Sequence, residues 1–266
     1  MDRIRALVSE ELNHLENLLC NSVELKNELF IDLSKFIKGK SKRIRSLVCL
    51  LFLKANNVII DKNIIDILYA TELIHNASLL HDDVIDNAKL RRGVQTMFDK
   101  YGSELSVLSG DYILSIAVDK LLKLNNSEIL NFYFSTTKEM SIAEIIQFSN
   151  RNKKTSIEQY LAVADGKTAS LFSSCLKSAA LLSDIDLKIA DDLGKNFGIL
   201  FQIYNDIEPY SSANDALNGL NTVVDILGIE KTLDLKDNYK DKLRRIINDF
   251  SDNKYKYGMK DLIELL

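Results

Sequence analysis

Proline occurs once in this 266-residue chain, at Pro209, and glycine only ten times. Strand-rich folds need a turn residue about every 8–12 positions, so a sandwich or barrel is excluded. Cysteine is scarce as well. Cys20, Cys49 and Cys175 are odd in number, widely spaced and set in apolar surroundings, which excludes a disulfide frame or a zinc site and points to buried thiols in a reducing compartment. There is no basic excess: the net charge is -4, which argues against a nucleic-acid partner. The longest apolar run, Leu47 to Leu53, is far too short for a membrane span. The first residues, Met-Asp-Arg-Ile-Arg-Ala-Leu-Val, lack the apolar core of a signal peptide. A cytoplasmic location is expected.

What the chain does have is helical periodicity. Hydrophobic residues make up 46% and charged residues 27%, ordinary for a globular protein. The pattern predicts helices near residues 2–20, 42–55, 61–87, 103–123, 126–150, 156–182, 186–208 and 228–250, with a short one at the end. No repeat, low-complexity tract or charged linker marks a boundary. The expectation is an all-α protein with a single domain over residues 1–266.

The most informative stretch is residues 80–93, Leu-His-Asp-Asp-Val-Ile-Asp-Asn-Ala-Lys-Leu-Arg-Arg-Gly. On a helix Asp82 and Asp86 lie one turn apart, where like charges repel unless a cation joins them. Mg²⁺ suits them, being a hard ion that takes carboxylate oxygens while keeping positions for water and phosphate. Arg91 and Arg92 are fixed cations fitted to bidentate contact with phosphate. Together these residues point to metal-bridged binding of a diphosphate. A solvated acidic face is the plainer alternative, and the flanks weigh against it. Leu73, Ala77, Leu80 and Val84 form one apolar stripe, whereas His75, Leu79, Asp82 and Asp86 form a second, mixed stripe better suited to a polar cavity.

Residues 39–46, Gly-Lys-Ser-Lys-Arg-Ile-Arg-Ser, place four cations at the start of an apolar helix. The helix dipole disfavours cations there, which makes sense if an anion binds; Lys42 and Arg45 share a face. A solvated basic turn remains the alternative. Asp165-Gly166-Lys167-Thr168-Ala169 puts a glycine inside a helical stretch at a cost of about 1 kcal/mol, so a close backbone approach is expected there. Gln202 and Asp206 stand one turn apart within the apolar pattern of Leu193, Phe197, Leu200 and Tyr204, in a second polar patch that is either structural or functional.

In this order the segments resemble the trans-isoprenyl diphosphate synthases, or polyprenyl synthetases, over about residues 35–225. Lys42-Arg43-Ile44-Arg45 is similar to the family's Gly-Gly-Lys-Arg-x-Arg-Pro segment. Glu72 to Asp86, followed by Arg91-Arg92-Gly93, resembles its first aspartate-rich motif. Gly110-Asp111, Glu144 with Gln147, Lys167-Thr168-Ala169 and Phe201-Gln202 stand where the family has equivalents. The resemblance implies a single bundle of long helices around a deep central cavity. It implies prenyl transfer, in which an allylic diphosphate ionises and isopentenyl diphosphate attacks the cation. Mg²⁺ on Asp82, Asp83, Asp86 and Asp206 would serve as cofactor. By the same resemblance Asp82, Asp83, Asp86 and Lys167 are the catalytic residues. Arg91 would bind the allylic diphosphate, and Lys42, Arg45, His75 and Arg92 the isopentenyl diphosphate. Lys167, Thr168 and Gln202 would steady the leaving diphosphate. A homodimer is implied, with a product that can pass to a membrane. Ala77 and Ser78 stand where short-chain members carry bulky aromatics, so a medium- or long-chain product, C20 or longer, is expected unless residues 111–121 supply a floor.

The chain departs from the family at its second aspartate-rich motif, which reads Asn205-Asp206-Ile207-Glu208-Pro209. One carboxylate is an amide, another is a proline that should end or kink the helix, and Glu208 lies about 200° around the helix from Asp206. Leu220 replaces a lysine and Ser46 a proline. Three other readings follow from these losses: a weakly active or regulatory subunit of a heteromeric synthase, a class I terpene cyclase, and, from His81-Asp82, a phosphohydrolase. The intact first motif and the Lys42, Arg45 and His75 set favour an active synthase.

Overall fold

Short polar side chains open most of the helices. Asn27, Asp61, Thr96, Ser156, Asp186, Thr222 and Asn253 each accept a backbone N–H of the first turn, satisfying donors that the helix itself leaves without partners. The computed structural model describes residues 1–23, 27–39, 41–91, 93–208 and 218–266. Its helices are α1 (Asp2–Ala6), α2 (Ser9–Cys20), α3 (Glu28–Lys38), α4 (Ile44–Ala55), α5 (Lys62–Ile85), α6 (Met97–Leu122), α7 (Ser127–Ser149), α8 (Ile157–Ala164), α9 (Ser170–Leu181), α10 (Leu187–Ile207), α11 (Val223–Leu227), α12 (Ile229–Asn248) and α13 (Lys254–Leu265). A two-residue hairpin, β1 (Leu90–Arg91) and β2 (Val94–Gln95), turns at Gly93 with φ +77°. The chain is all-α, as expected. Among the described residues no helix is long and apolar enough to cross a membrane.

The structure corrects several boundaries. The expected 2–20 helix is two, parted at Val8, whose backbone is not helical. α3 was not expected at all. α6 contains the expected 103–123 helix together with a short helical segment from Met97, capped by Thr96, and the two are parted at Gly102, whose φ +84° and ψ +173° are not helical. The expected 156–182 helix is interrupted by a π-turn at Asp165–Ala169. α11 and the hairpin are also additions. The kink expected at Pro209 lies outside the described residues.

By packing, the chain forms two compact units: residues 8–50 with 60–126, here the first unit, and residues 1–7, 51–59 and 127–266, the second. In the first unit α5 is covered by α6 along its length and by α2. Every residue from Ile64 to Ile74 is buried, Asp66, Thr71 and Glu72 included, so this helix is covered on all sides over three turns and has to lie inside its unit. In the second unit α10 packs on α9 and α12, and α7 packs on α9. Glycines permit the closest of these approaches. A Cβ at Gly194 would lie 2.5 Å from Ser173 Cα, and one at Gly198 would lie 2.4 Å from Ala169 Cα. Phe172 fills the space beside them, with ring centroids 5.4 Å from Phe197 and 5.9 Å from Phe201.

Because the obstacle at Gly194 is backbone, Gly194→Ala is expected to force α9 and α10 apart and to cost about 1–3 kcal/mol. A urea midpoint equal to that of the unsubstituted chain would contradict this packing.

Candidate active site

In the first unit the site grows out of the C-terminal end of α5. The two stripes read from the sequence separate as expected. Leu73, Ala77 and Leu80 are buried, with Val84 half-buried, and His75, Leu79, Asp82 and Asp86 are all half-buried. Asp86 is the C-cap residue, and its N–H donates to the Asp82 carbonyl at 2.8 Å. Asp83 differs from its two neighbours. It is fully buried, and its Oδ1 accepts from Arg91 Nε at 2.8 Å and pairs with Arg91 Nη2 at 2.7 Å. Asp83 Oδ2 is buried with no hydrogen-bond partner among the described residues. Burial pushes the Asp83 carboxyl above the ordinary carboxylate range, against the opposing bond from Arg91.

The hairpin holds Arg91 in this position. Asn87, with φ +50°, turns the chain out of α5, and Ala88 N–H donates back to the Asp83 carbonyl at 2.9 Å. Arg91 then pairs with Val94 across the turn. Thr96 closes the loop by donating to the Ala88 carbonyl at 2.6 Å while capping α6. Gly110 on α6 leaves room for His81, since a Cβ there would lie 2.3 Å from His81 Nε2. That ring nitrogen also lies 3.3 Å from Asp111 Oδ1 and from the Val107 carbonyl.

Of the basic segment, Lys42 is exposed and Arg45 is buried. Arg43 lies between them, also buried, with bonds to Glu16, Glu72 and the Ile37 carbonyl. Arg92 lies outside the described residues.

In the second unit the π-turn presents Lys167 and Thr168. Gly166 sits close to α7, where a Cβ would lie 3.0 Å from Ala143 Cβ and 3.2 Å from the Glu139 carbonyl, the close approach expected of it. π-Turns inside helices often occur at functional positions. Lys167 donates to Gln147 Oε1 at 2.8 Å and pairs with Glu144. Thr168 donates to Gln202 Oε1 at 3.0 Å, Gln202 donates to Asp206 Oδ1 at 2.8 Å, and Val223 N–H donates to Asp206 Oδ2 at 3.1 Å. Asp206 is buried, and that burial raises its carboxyl above the usual range while the Val223 N–H holds it down. Its two oxygens therefore link Gln202 on α10 to the first turn of α11.

Two of the four expected metal carboxylates, Asp83 and Asp206, are thus engaged with protein donors. Among the described residues no three His, Cys, Asp or Glu side chains gather into a set able to hold a metal ion. The physical reason is the same at both places. A buried carboxylate needs a partner, and Arg91 and Val223 N–H each supply one. Asp82 and Asp86 are half-buried hard oxygen donors one turn apart, which fits an ion that takes one or two carboxylates and fills its shell with water and phosphate.

The Polyprenyl synthetase family model matches residues 28–255. The chain belongs to this family. It is 32% identical to a prenyl transferase of Cyanidium caldarium over 222 residues, 81% of this chain and 69% of that protein. It is 33% identical to a decaprenyl-diphosphate synthase of Dictyostelium discoideum over 199 residues, 74% of this chain and 43% of that one. A decaprenyl diphosphate synthase from Rhodobacter capsulatus shares the fold at a TM-score of 0.90, covering 99% of this chain and 97% of its own at 21% identity. As a polyprenyl synthetase the chain is a prenyltransferase that makes trans-polyprenyl diphosphates.

In the sequence of this polyprenyl synthetase the chemistry-bearing residues stand out and their supports do not. Glu16 carried no signal, since a lone acid in α2 looks like any solvated residue. Glu72 and Arg43 stood inside motifs without a role of their own. The special position of Asp83 could have been read from the apolar stripe, which Asp83 adjoins through Leu80.

Replacing Arg91 by Ala leaves Asp83 buried without its cation, so a loss of about 1–3 kcal/mol is expected. The sign with pH follows from the raised folded-state pKa. The protonated carboxyl is favoured in the native state, so stability is retained below the unfolded carboxylate pKa and falls as pH rises through the folded one. The Arg91→Ala deficit in melting temperature should therefore be smallest near about pH 4 and grow toward about pH 7. A deficit that shrinks with rising pH would contradict the Asp83–Arg91 pairing.

Proposed function

We propose that this enzyme extends an allylic diphosphate with isopentenyl diphosphate to a product of C20 or longer, with Asp82 and Asp86 as the carboxylates that hold Mg²⁺. The observation carrying this reading is the half-buried Asp82/Asp86 pair at the end of α5, beside an arginine that Asp83 holds in place. When bound there, Mg²⁺ supplies Lewis-acid stabilisation of the diphosphate leaving group. The protein's own part is binding and orientation. Arg91, with two of its nitrogens on one Asp83 oxygen, is pre-set to receive the allylic diphosphate. Lys42, Arg45, His75 and Arg92 bind the isopentenyl diphosphate. Lys167, fixed by Gln147, and Thr168, fixed by Gln202, steady the departing diphosphate and the cation beside it. No side chain needs to act as nucleophile.

In this assignment Asp83 and Asp206 serve as holders of Arg91 and of Gln202 with α11, a revision of the four-carboxylate expectation. Product length is supported by Ala77 and Ser78, both small, with the Ser78 hydroxyl turned onto the His75 carbonyl at 2.8 Å. It is also supported by the decaprenyl-diphosphate synthase among the relatives. The two packing units are read as one synthase domain, because the matched residues 28–255 draw on both. A homodimer and a cytoplasmic location complete the proposal.

Incubation with Mg²⁺, labelled isopentenyl diphosphate and allylic primers of several lengths, followed by sizing of the products, tests it. Linear products of C20 or longer are expected; products that stop at C15, or no incorporation with any primer, would overturn it. Asp82→Ala should lower turnover by about 10²–10³-fold, the equivalent of several kcal/mol of lost charge stabilisation. Asn205→Asp should raise turnover or leave it unchanged, and a fall would show that the amide is needed.

A further inference from the structure

The residue between the two cations of the basic segment is itself a cation, and it faces inward. Arg43 has φ +46°, a left-handed backbone that a side-chain-bearing residue adopts only where its surroundings impose it. Its side chain is 1% exposed, and three elements hold it. Glu16 of α2 takes a forked pair, Nε to Oε1 at 2.9 Å and Nη2 to Oε2 at 3.1 Å. The Ile37 carbonyl, at the end of α3, accepts from Nη2 at 2.7 Å. Glu72 of α5 accepts from Nη1 at 3.4 Å, and its other oxygen accepts from the Ser46 hydroxyl of α4 at 2.7 Å. The Arg43 carbonyl then receives Leu47 N–H at 2.8 Å, the first bond of α4.

The placement of these contacts matters more than their number. Lys42 precedes the left-handed residue directly, and Arg45 follows two positions later on the first turn of α4. Ser46, next to Arg45, is tied to Glu72. Glu72 stands three residues before His75 on α5, so it shares that face of the helix. Three of the four residues assigned to the isopentenyl diphosphate, Lys42, Arg45 and His75, therefore branch from one buried ionic cluster. The forked bond to Glu16 is one that a guanidinium makes and an ammonium does not.

We propose that the Glu16–Arg43–Glu72 cluster is a positioning device for isopentenyl diphosphate, in which Arg43 touches no substrate but sets the left-handed turn that aims Lys42 and Arg45 while Glu72 sets the register of His75. This rests on the assignment of Lys42, Arg45 and His75 to that substrate. Buried ion pairs are weak evidence of stabilisation, because burying the charges costs about as much as pairing them returns. Their better-attested use is to fix one arrangement among several, and here the arrangement fixed is that of the diphosphate-binding cations.

Steady-state kinetics on the full chain separate this role from a merely structural one. Glu16→Gln and Arg43→Lys should raise KM for isopentenyl diphosphate by about ten- to a hundredfold, with KM for the allylic diphosphate changing less than about threefold. Lys42→Ala and His75→Ala measure the underlying assignment under the same conditions. The Glu16→Gln, Lys42→Ala double variant should rise less than the product of the two single effects, because both act on one cation. Should Lys42→Ala and His75→Ala leave the isopentenyl KM unchanged, the assignment falls and the positioning role with it. Should they raise it while Glu16→Gln and Arg43→Lys move both substrates' KM equally, or lower only the melting temperature, the positioning role alone is overturned. Glu16 is one-third exposed, and its variant keeps the Ile37 and Glu72 bonds of Arg43, so it decides the matter if Arg43→Lys does not fold.

Discussion

Everything in the first unit depends on a helix that has to be covered on all sides and still deliver carboxylates to water. From Ile64 to Ile74 every side chain of α5 is buried, and the helix ends one turn beyond Leu80 in three aspartates. A carboxylate in the fully buried position would be costly alone. Asp83 occupies that position, and Arg91 returns through a two-residue hairpin to meet it. The hairpin is the only strand pairing among the described residues. Its form follows from the need to return an arginine over a short distance: left-handed Asn87 and Gly93 make the two bends, and the Thr96 bond to Ala88 fastens the end.

The second unit solves a similar problem with a backbone donor. Asp206 is the second position of its motif, as Asp83 is of the first, and it too is buried and turned toward protein. Its partners are Gln202 and the Val223 N–H at the start of α11, which is itself closed by the Thr222–Asp225 capping box. The loss of a carboxylate at Asn205 therefore leaves a motif whose remaining aspartate organises Gln202, and through it Thr168, in place of reaching outward. The π-turn at Asp165–Ala169 widens the helix by one residue at that point, which lets Lys167 reach Gln147 and Glu144 on α7 while Thr168 faces α10.

The expectation of an all-α chain came from what was missing, turn residues above all, and it held because helical periodicity is a local property. The starts of α5, α8 and α10 lay within two residues of their expected positions, each marked by a capping side chain. α3 was missed because only Leu33 and Ile37 are buried in it, too few to make a stripe stand out. The short segment of α6 ahead of Gly102 was missed because Thr96 was not recognised as a cap, and the π-turn was not foreseen because Gly166 signals a close backbone approach but not the extra residue in the turn. At the site, the half-buried stripe of His75, Leu79, Asp82 and Asp86 was legible in full, since it depends only on spacing along α5.

The sequence by itself determined which groups are present, their order and their helical faces, and with the family resemblance that was enough to identify a prenyltransferase. Tertiary structure alone decided which partner each buried charge takes. Asp83 differs from Asp82 and Asp86 in the chain only by its place beside the apolar stripe, and Lys42, Arg43 and Arg45 look alike there. Contacts with residues distant in sequence sort them: Arg91 claims Asp83, and Glu16 with Glu72 claims Arg43. The physical reason is that burial is a property of the neighbours as much as of the residue. A buried charge is tolerated only where another part of the chain brings the opposite charge or a free N–H to it.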